Sequence, residues 1–178
     1  MEEIKLSDDV FDQIKEFIHE YLTKEQELLI DKLILNEELK GCYKEYGLCG
    51  ECKQPNTGYH WCQPCTSKYF QQNFKNWTSG NHDVDEFIQK AQLKAKGYKE
   101  ILEWIEYDRF ENVEYLAKGG FGITYKALWK DGYLKYDYND NQCIRKKDDE
   151  KGHQVALKCL HNSQDITVEF LREVRYSF

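Results

Sequence analysis

The chain has 178 residues, 40% of them hydrophobic and 32% charged, with a formal net charge of −7. That length holds one ordinary domain or two small ones, and only two prolines leave little room for a long disordered linker. The acidic balance weighs against broad binding to nucleic acid or anionic membranes, which needs surplus Lys and Arg. No run approaches the roughly 18 apolar residues of a membrane span. Met1 leads into EEIKLSDD, which lacks the apolar core of a signal peptide, so an intracellular, cytoplasmic protein is expected.

Residues 8–22 place Val10, Phe11, Ile14, Phe17, Ile18, Tyr21 and Leu22 at helical spacing, predicting one helix. Thr23 and Gln26 form a capping box for a second helix, whose apolar residues are Leu28, Leu29, Ile30, Leu33 and Ile34. Asn36 caps a third helix through Tyr46, ended by Gly47. No heptad repeat lasts the three or four heptads of a coiled coil, so residues 1–47 read as a helical region packing on itself or on a neighbour. A protein partner is one candidate for that neighbour.

Residues 48–78 form a cysteine-rich module. CGEC at 49–52 and CQPC at 62–65 are two CxxC pairs separated by nine residues. A CxxC pair can turn both thiolates of a tight knuckle toward one ion, and two knuckles complete a four-sulfur tetrahedron. Cys49, Cys52, Cys62 and Cys65 are therefore the predicted zinc ligands of a ribbon-like module, with a rubredoxin-like iron the lesser occupant. Buried thiols or redox pairs are the alternative. Pro55, Asn56, Thr57 and Gly58 supply the turn between the pairs. His60 is a lesser ligand candidate, and Cys42, Cys143 and Cys159 read as small apolar residues. Tyr59, Trp61, Tyr69, Phe70, Phe74 and Trp77 crowd the module. Aromatics with a mildly basic balance can stack single-stranded bases, so a nucleic-acid-binding zinc ribbon is kept as a third reading. Packing around the knuckles is the commoner use of such residues.

Residues 79–106 predict two helical pieces meeting near Gly97. From 107 onward the pattern changes to strands: Phe110–Leu116, Gly122–Trp129 and Gln154–Leu160. Residues 128–154 read as a solvent-exposed insertion, with a hairpin-like KDGY. The expected fold class is thus α+β, with N-terminal helices, a zinc-ribbon-like module and antiparallel strands followed by a helix.

Gly119, Gly120 and Gly122 lie between the first two strands, and VALK (Val155 to Lys158) lies on the third. Glycines let backbone amides approach phosphate oxygens, and Phe121 would cap the loop tip. Strand periodicity sends Ala156 and Lys158 to one face, where the small residue leaves room for a planar base and the lysine reaches phosphates. NSQDITVEFLREV reads as a cap and helix; Glu173 is the carboxylate expected to pair with Lys158, and Glu169 is the alternative. A ligand-free glycine hairpin is the plainer reading of the loop by itself.

On these motifs, residues 107–178 resemble the N-terminal lobe of a protein kinase of the tyrosine-kinase-like group. The whole chain resembles the kinase-like family expanded in arbuscular mycorrhizal fungi, through FQQNFKNWTSGN, YDRF and VALKCLHNSQDIT. The resemblance implies ATP as ligand, with Leu116 and Thr124 flanking adenine and Ala156 completing its pocket. It also implies that Gly119 and Gly122 cover the phosphates and that Lys158 contacts them. Ala117 stands where the family has its first glycine and Thr124 where it has valine, departures that imply weak ATP binding. An aspartate to orient the acceptor and another to hold magnesium are needed for transfer. Neither motif occurs in the 178 residues, so the chain alone is expected to be inactive. A non-catalytic zinc-bearing interaction module is the alternative function, docking partners through the N-terminal helices or an exposed face of the lobe.

Overall fold

A computed structural model describes residues 5–120, 122–137, 142–147 and 152–160. Helices and antiparallel sheet are both present: α1 (Asp8–Ile14), α2 (Lys24–Leu33), α3 (Glu37–Tyr46), α4 (Gln63–Asn73) and α5 (His82–Lys94) precede β1 (Phe110–Gly119), β2 (Gly122–Trp129), β3 (Tyr133–Asp137), β4 (Gln142–Lys146) and β5 (His153–Leu160). Among the described residues no helix is long and apolar enough to cross a membrane.

The predicted 8–22 helix ends early, at Ile14. The Ile14 carbonyl accepts from the Phe17 amide at 3.0 Å and from the Tyr43 hydroxyl at 3.2 Å. Those bonds replace the helical one from residue 18, and the chain leaves in a single 3-10 turn, His19–Tyr21. Ile18 and Tyr21 consequently stay exposed, whereas Ile14 and Tyr43 are sealed. Helix α2 carries the expected capping box, with Gln26 N donating to Thr23 Oγ1 and Thr23 N to Gln26 Oε1. Asn36 caps α3, which stops at Gly47 with φ of +69°. A Cβ on Gly47 would lie 2.6 Å from the His19 ring, so glycine also makes room for the first connection. Leu6, Ile14, Ile30, Ile34 and Tyr43 form the core of this region. Gln54 ties that core to the cysteine module, accepting from Leu6 N at 2.7 Å and donating to Leu6 O at 3.2 Å.

Of the two helical pieces expected over 79–106, only α5 forms as an α-helix, capped by Asn81. Beyond a 3-10 turn at Tyr98–Glu100 the chain runs as an irregular strap to the next 3-10 turn, Tyr107–Arg109. Side chains hold the backbone after α5 by its carbonyls. The Trp61 indole donates to Ala95 O at 2.9 Å and the Gln92 amide to Leu102 O at 2.8 Å.

Strands β1, β2 and β5 form an antiparallel sheet in that order, while β3 and β4 pair separately. The expected insertion does contain a strand pair, but it is not a solvent-exposed appendage. Leu134 is buried with Trp61, Phe70 and Ala95, and Cys143 packs on the same cluster. Arg145 reaches Glu103 of the strap at 2.5 Å. The β3–β4 pair therefore clamps the cysteine module and strap to the sheet. Replacing Leu134 by Ala should cost about 2–5 kcal/mol in urea unfolding, because it empties a buried site. Leu35→Ala, at a residue 81% exposed, should change stability by under about 0.5 kcal/mol.

Candidate metal centre

The first CxxC is a tight knuckle. Cys49 N donates to Gln54 O at 2.8 Å and Lys53 N to Cys49 O at 3.0 Å, with a bridge between Leu48 and Pro55. Lys53 closes the turn in the left-handed region, at φ of 62°. Four residues later Thr57 and Gly58 donate their amides to Trp61 O at 2.9 and 3.2 Å, making a second small loop. Gly58 is required there, since a Cβ would stand 2.7 Å from the Lys96 carbonyl.

The second CxxC does not form the second knuckle of a ribbon. Cys62 is the cap residue of α4 and Cys65 lies in its first turn. Thr57 Oγ1 accepts from Gln63 N at 3.1 Å, and Thr66 Oγ1 donates to Cys62 O at 2.9 Å, so hydroxyls on both sides fix this turn. Residue 64 is a proline, suited to the first helical turn because the amide it lacks would be unpaired there. The helix itself was missed in the sequence, although Pro64 just after Cys62 is a start signal.

The four Sγ atoms lie within 4.8 Å of one another, with Cys49 to Cys65 at 3.8 Å and Cys52 to Cys62 at 3.4 Å. All four are free thiols; a disulfide would bring sulfurs to about 2.0 Å. A tetrahedron with metal–sulfur bonds of about 2.3 Å has sulfur–sulfur edges of about 3.8 Å, so the four donors fit a zinc-sized ion. Cys49 and Cys62 are buried and the other two half-buried, which shields the donors from water. His60 is no member of the converging group; its ring stacks edge-on with Tyr59.

The electrostatics require a cation for full ionisation. Hydrogen bonds from the Cys52 and Cys62 thiols lower Cys49 to about 2. The same bonds hold the protons on Cys62 and Cys52, raising both, and burial followed by the charge at Cys49 lifts Cys65 to about 12. Without metal the group carries one thiolate. With four thiolates bound there is no open position for a substrate, so the site is suited to holding structure.

The residues predicted to face a nucleotide lie elsewhere, on the three-stranded sheet. Gly119 pairs with Gly122 at the β1–β2 turn, and Ala117 pairs with Thr124. Thr124 stands opposite Lys158, and Lys126 opposite Ala156. Directly opposed residues share a face, so Ala117, Thr124, Ala156 and Lys158 lie together on one side. Leu116 falls at an irregularity in the β1–β2 register and is 58% exposed. Phe121, Glu169 and Glu173 lie outside the described residues. Cys159 is exposed, not packed as its type suggested.

No protein-family model, curated protein or solved structure matches the chain.

Zinc loading of the metal-free protein at neutral pH should expel three protons, from Cys52, Cys62 and Cys65. Affinity should therefore fall as pH is lowered. Calorimetry in buffers of different ionisation enthalpy measures the proton count, and native mass spectrometry should find one zinc per chain, lost in Cys49→Ser/Cys62→Ser. Release of fewer than two protons would contradict the ionisation pattern.

Proposed function

We propose that this chain is a zinc-stapled front section of a protein-kinase-like protein, whose three-stranded sheet presents a nucleotide-facing surface. The observation that carries the reading is the β2–β5 register. It puts Thr124 directly opposite Lys158, with Ala156 two residues away on the same face and the glycine turn at the near end of the strand pair. A planar base fits against small side chains such as Ala156 and Ala117, while a lysine amine and glycine amides suit phosphate oxygens.

Zinc at Cys49, Cys52, Cys62 and Cys65 supplies folding energy to a stretch with a small core of its own, and takes no part in chemistry. Lys158 binds and orients phosphates in this reading. Glu173 is the carboxylate proposed to fix its amine. Nothing in residues 107–178 offers an acceptor-orienting aspartate in the family's HRD setting or a magnesium ligand in its DFG setting, so the proposed role of the 178-residue chain is nucleotide contact without turnover.

A second reading, a non-catalytic interaction module, is favoured by the exposed apolar residues of the N-terminal region. Ile18, Tyr21, Leu28 and Leu35 are each more than 60% exposed, a surface suited to a protein partner.

An acyl-phosphate derivative of ATP, which acylates amines near a bound triphosphate, separates the two. Lys158 should be the dominant site of acylation in peptide mapping, excess ATP should suppress it, and Lys158→Met should remove it. Even acylation over all lysines, insensitive to ATP, would overturn the nucleotide reading. Phosphate transfer by the purified chain, abolished in Lys158→Met, would overturn the absence of turnover.

A further inference from the structure

The four converging cysteines support a second chemistry besides metal binding. Four thiols can pair into disulfides in three ways, and the sulfur contacts point to one of them. Cys52 Sγ lies 3.4 Å from Cys62 Sγ, and Cys49 Sγ lies 3.8 Å from Cys65 Sγ. Both contacts run between the knuckle and the start of α4. A disulfide needs its sulfurs at about 2.0 Å, so the two pairs must close by about 1.4 and 1.8 Å. Together the contacts use each of the four sulfurs once, so both links can form and leave no thiol of the group behind.

Each contact joins a half-buried thiol to a buried one. Cys49 and Cys62 are 2% and 0% exposed, while Cys52 and Cys65 are partly open to solvent. An oxidant therefore meets Cys52 or Cys65 first, and the buried sulfur of the other element stands beside it as the resolving group. Hydrogen peroxide breaks its O–O bond on the half-buried thiolate, which takes one oxygen to become a sulfenic acid while hydroxide leaves. The buried thiolate then attacks that sulfur, forms the S–S bond and expels a second hydroxide. Two such rounds reduce two peroxides, take four electrons from four thiolates and release a bound divalent ion to water.

A disulfide inside either CxxC would bond the knuckle to itself or one helical turn to itself. The cross links join the same two elements that a metal would join, through residues 10 and 16 positions apart. We propose that the centre is a redox-convertible staple: peroxide exchanges the zinc ion for Cys52–Cys62 and Cys49–Cys65 disulfides, freeing the metal while the module stays closed. Trp61, adjacent to Cys62 and fully buried, keeps its indole bond to Ala95 O in both states. The proposal rests on the zinc reading of these cysteines and is independent of the nucleotide reading.

The test uses the zinc-loaded 178-residue chain with Cys159→Ser, a change that removes an exposed thiol open to linkage between chains. Hydrogen peroxide is added stepwise. Zinc release is read with a colorimetric chelator, free thiols with a thiol reagent, and the links by peptide mapping without reduction. Zinc should be lost after about two peroxides per chain, together with four thiols, and the map should show Cys52–Cys62 and Cys49–Cys65. The Trp61 indole N–H resonance should stay protected from hydrogen exchange, and dithiothreitol with zinc should restore the starting state. Links within the CxxC pairs, sulfinic acids in place of links, zinc retained in excess peroxide, or loss of Trp61 protection would each overturn the proposal. Native mass spectrometry before oxidation keeps the two readings apart. A chain that carries no zinc at the start defeats the metal reading, whereas a zinc-loaded chain that gives other products defeats only the staple. Should Cys159→Ser fail to fold, the unsubstituted chain, mapped as its monomer fraction, decides between the same outcomes.

Discussion

Four sulfurs within 4.8 Å of one another cannot all be thiolates unless a cation sits among them. Everything between residues 48 and 78 is arranged around that constraint. The knuckle presents one pair and the first turn of α4 the other, so the two pairs approach from different elements. Three thiols keep their protons in the absence of a metal, and a divalent ion among the four sulfurs would replace those protons with four bonds. The small Trp61–Phe70–Ala95–Leu134 cluster beside it adds packing that the module alone would lack.

From the four cysteines the order is passed outward by side chains that hold backbone. Trp61, adjacent to Cys62, donates to Ala95 at the end of α5, and Gln63 and Ser67 on α4 both donate to Leu93 O. Gln92 then fixes Leu102, and Arg145 of β4 joins Glu103. Burial pushes the Glu103 carboxyl above the usual carboxylate range, against the pull of Arg145, which is the mark of an acid held in place rather than one left to solvent. This chain of contacts runs from the cysteines to the sheet, and Leu134 seals it.

Some of this was legible in the sequence because the controlling interactions are local. The Thr23–Gln26 capping box, the Asn36 cap, the Gly47 stop and the strand periodicities each depend on residues a few positions apart. The four metal-ligand candidates were legible too, since CxxC spacing is itself a local geometric requirement. What failed were the elements decided by distant partners. Tyr43 takes the Ile14 carbonyl and shortens the first helix from 29 residues away. The segment after α5 has an adequate helical pattern, yet Trp61 binds the carbonyl of Ala95 and Gln92 that of Leu102. The β3–β4 pair looked solvent-facing because its sequence is charged, while Leu134, Cys143 and the Arg145 pairing with Glu103 carry the contact.

The sequence by itself determined the order of elements, the caps, the turn glycines and the thiol chemistry that calls for a metal, all of which follow from side-chain type and short spacing. Only the tertiary structure decided that the second cysteine pair sits at a helix start and that the insertion is a clamp. It alone set Thr124 across from Lys158 and brought Cys52 against Cys62 and Cys49 against Cys65. The physical reason is that cross-strand register, burial and the destination of each backbone carbonyl depend on groups far apart in the chain. Spacing does not encode them until the core has closed.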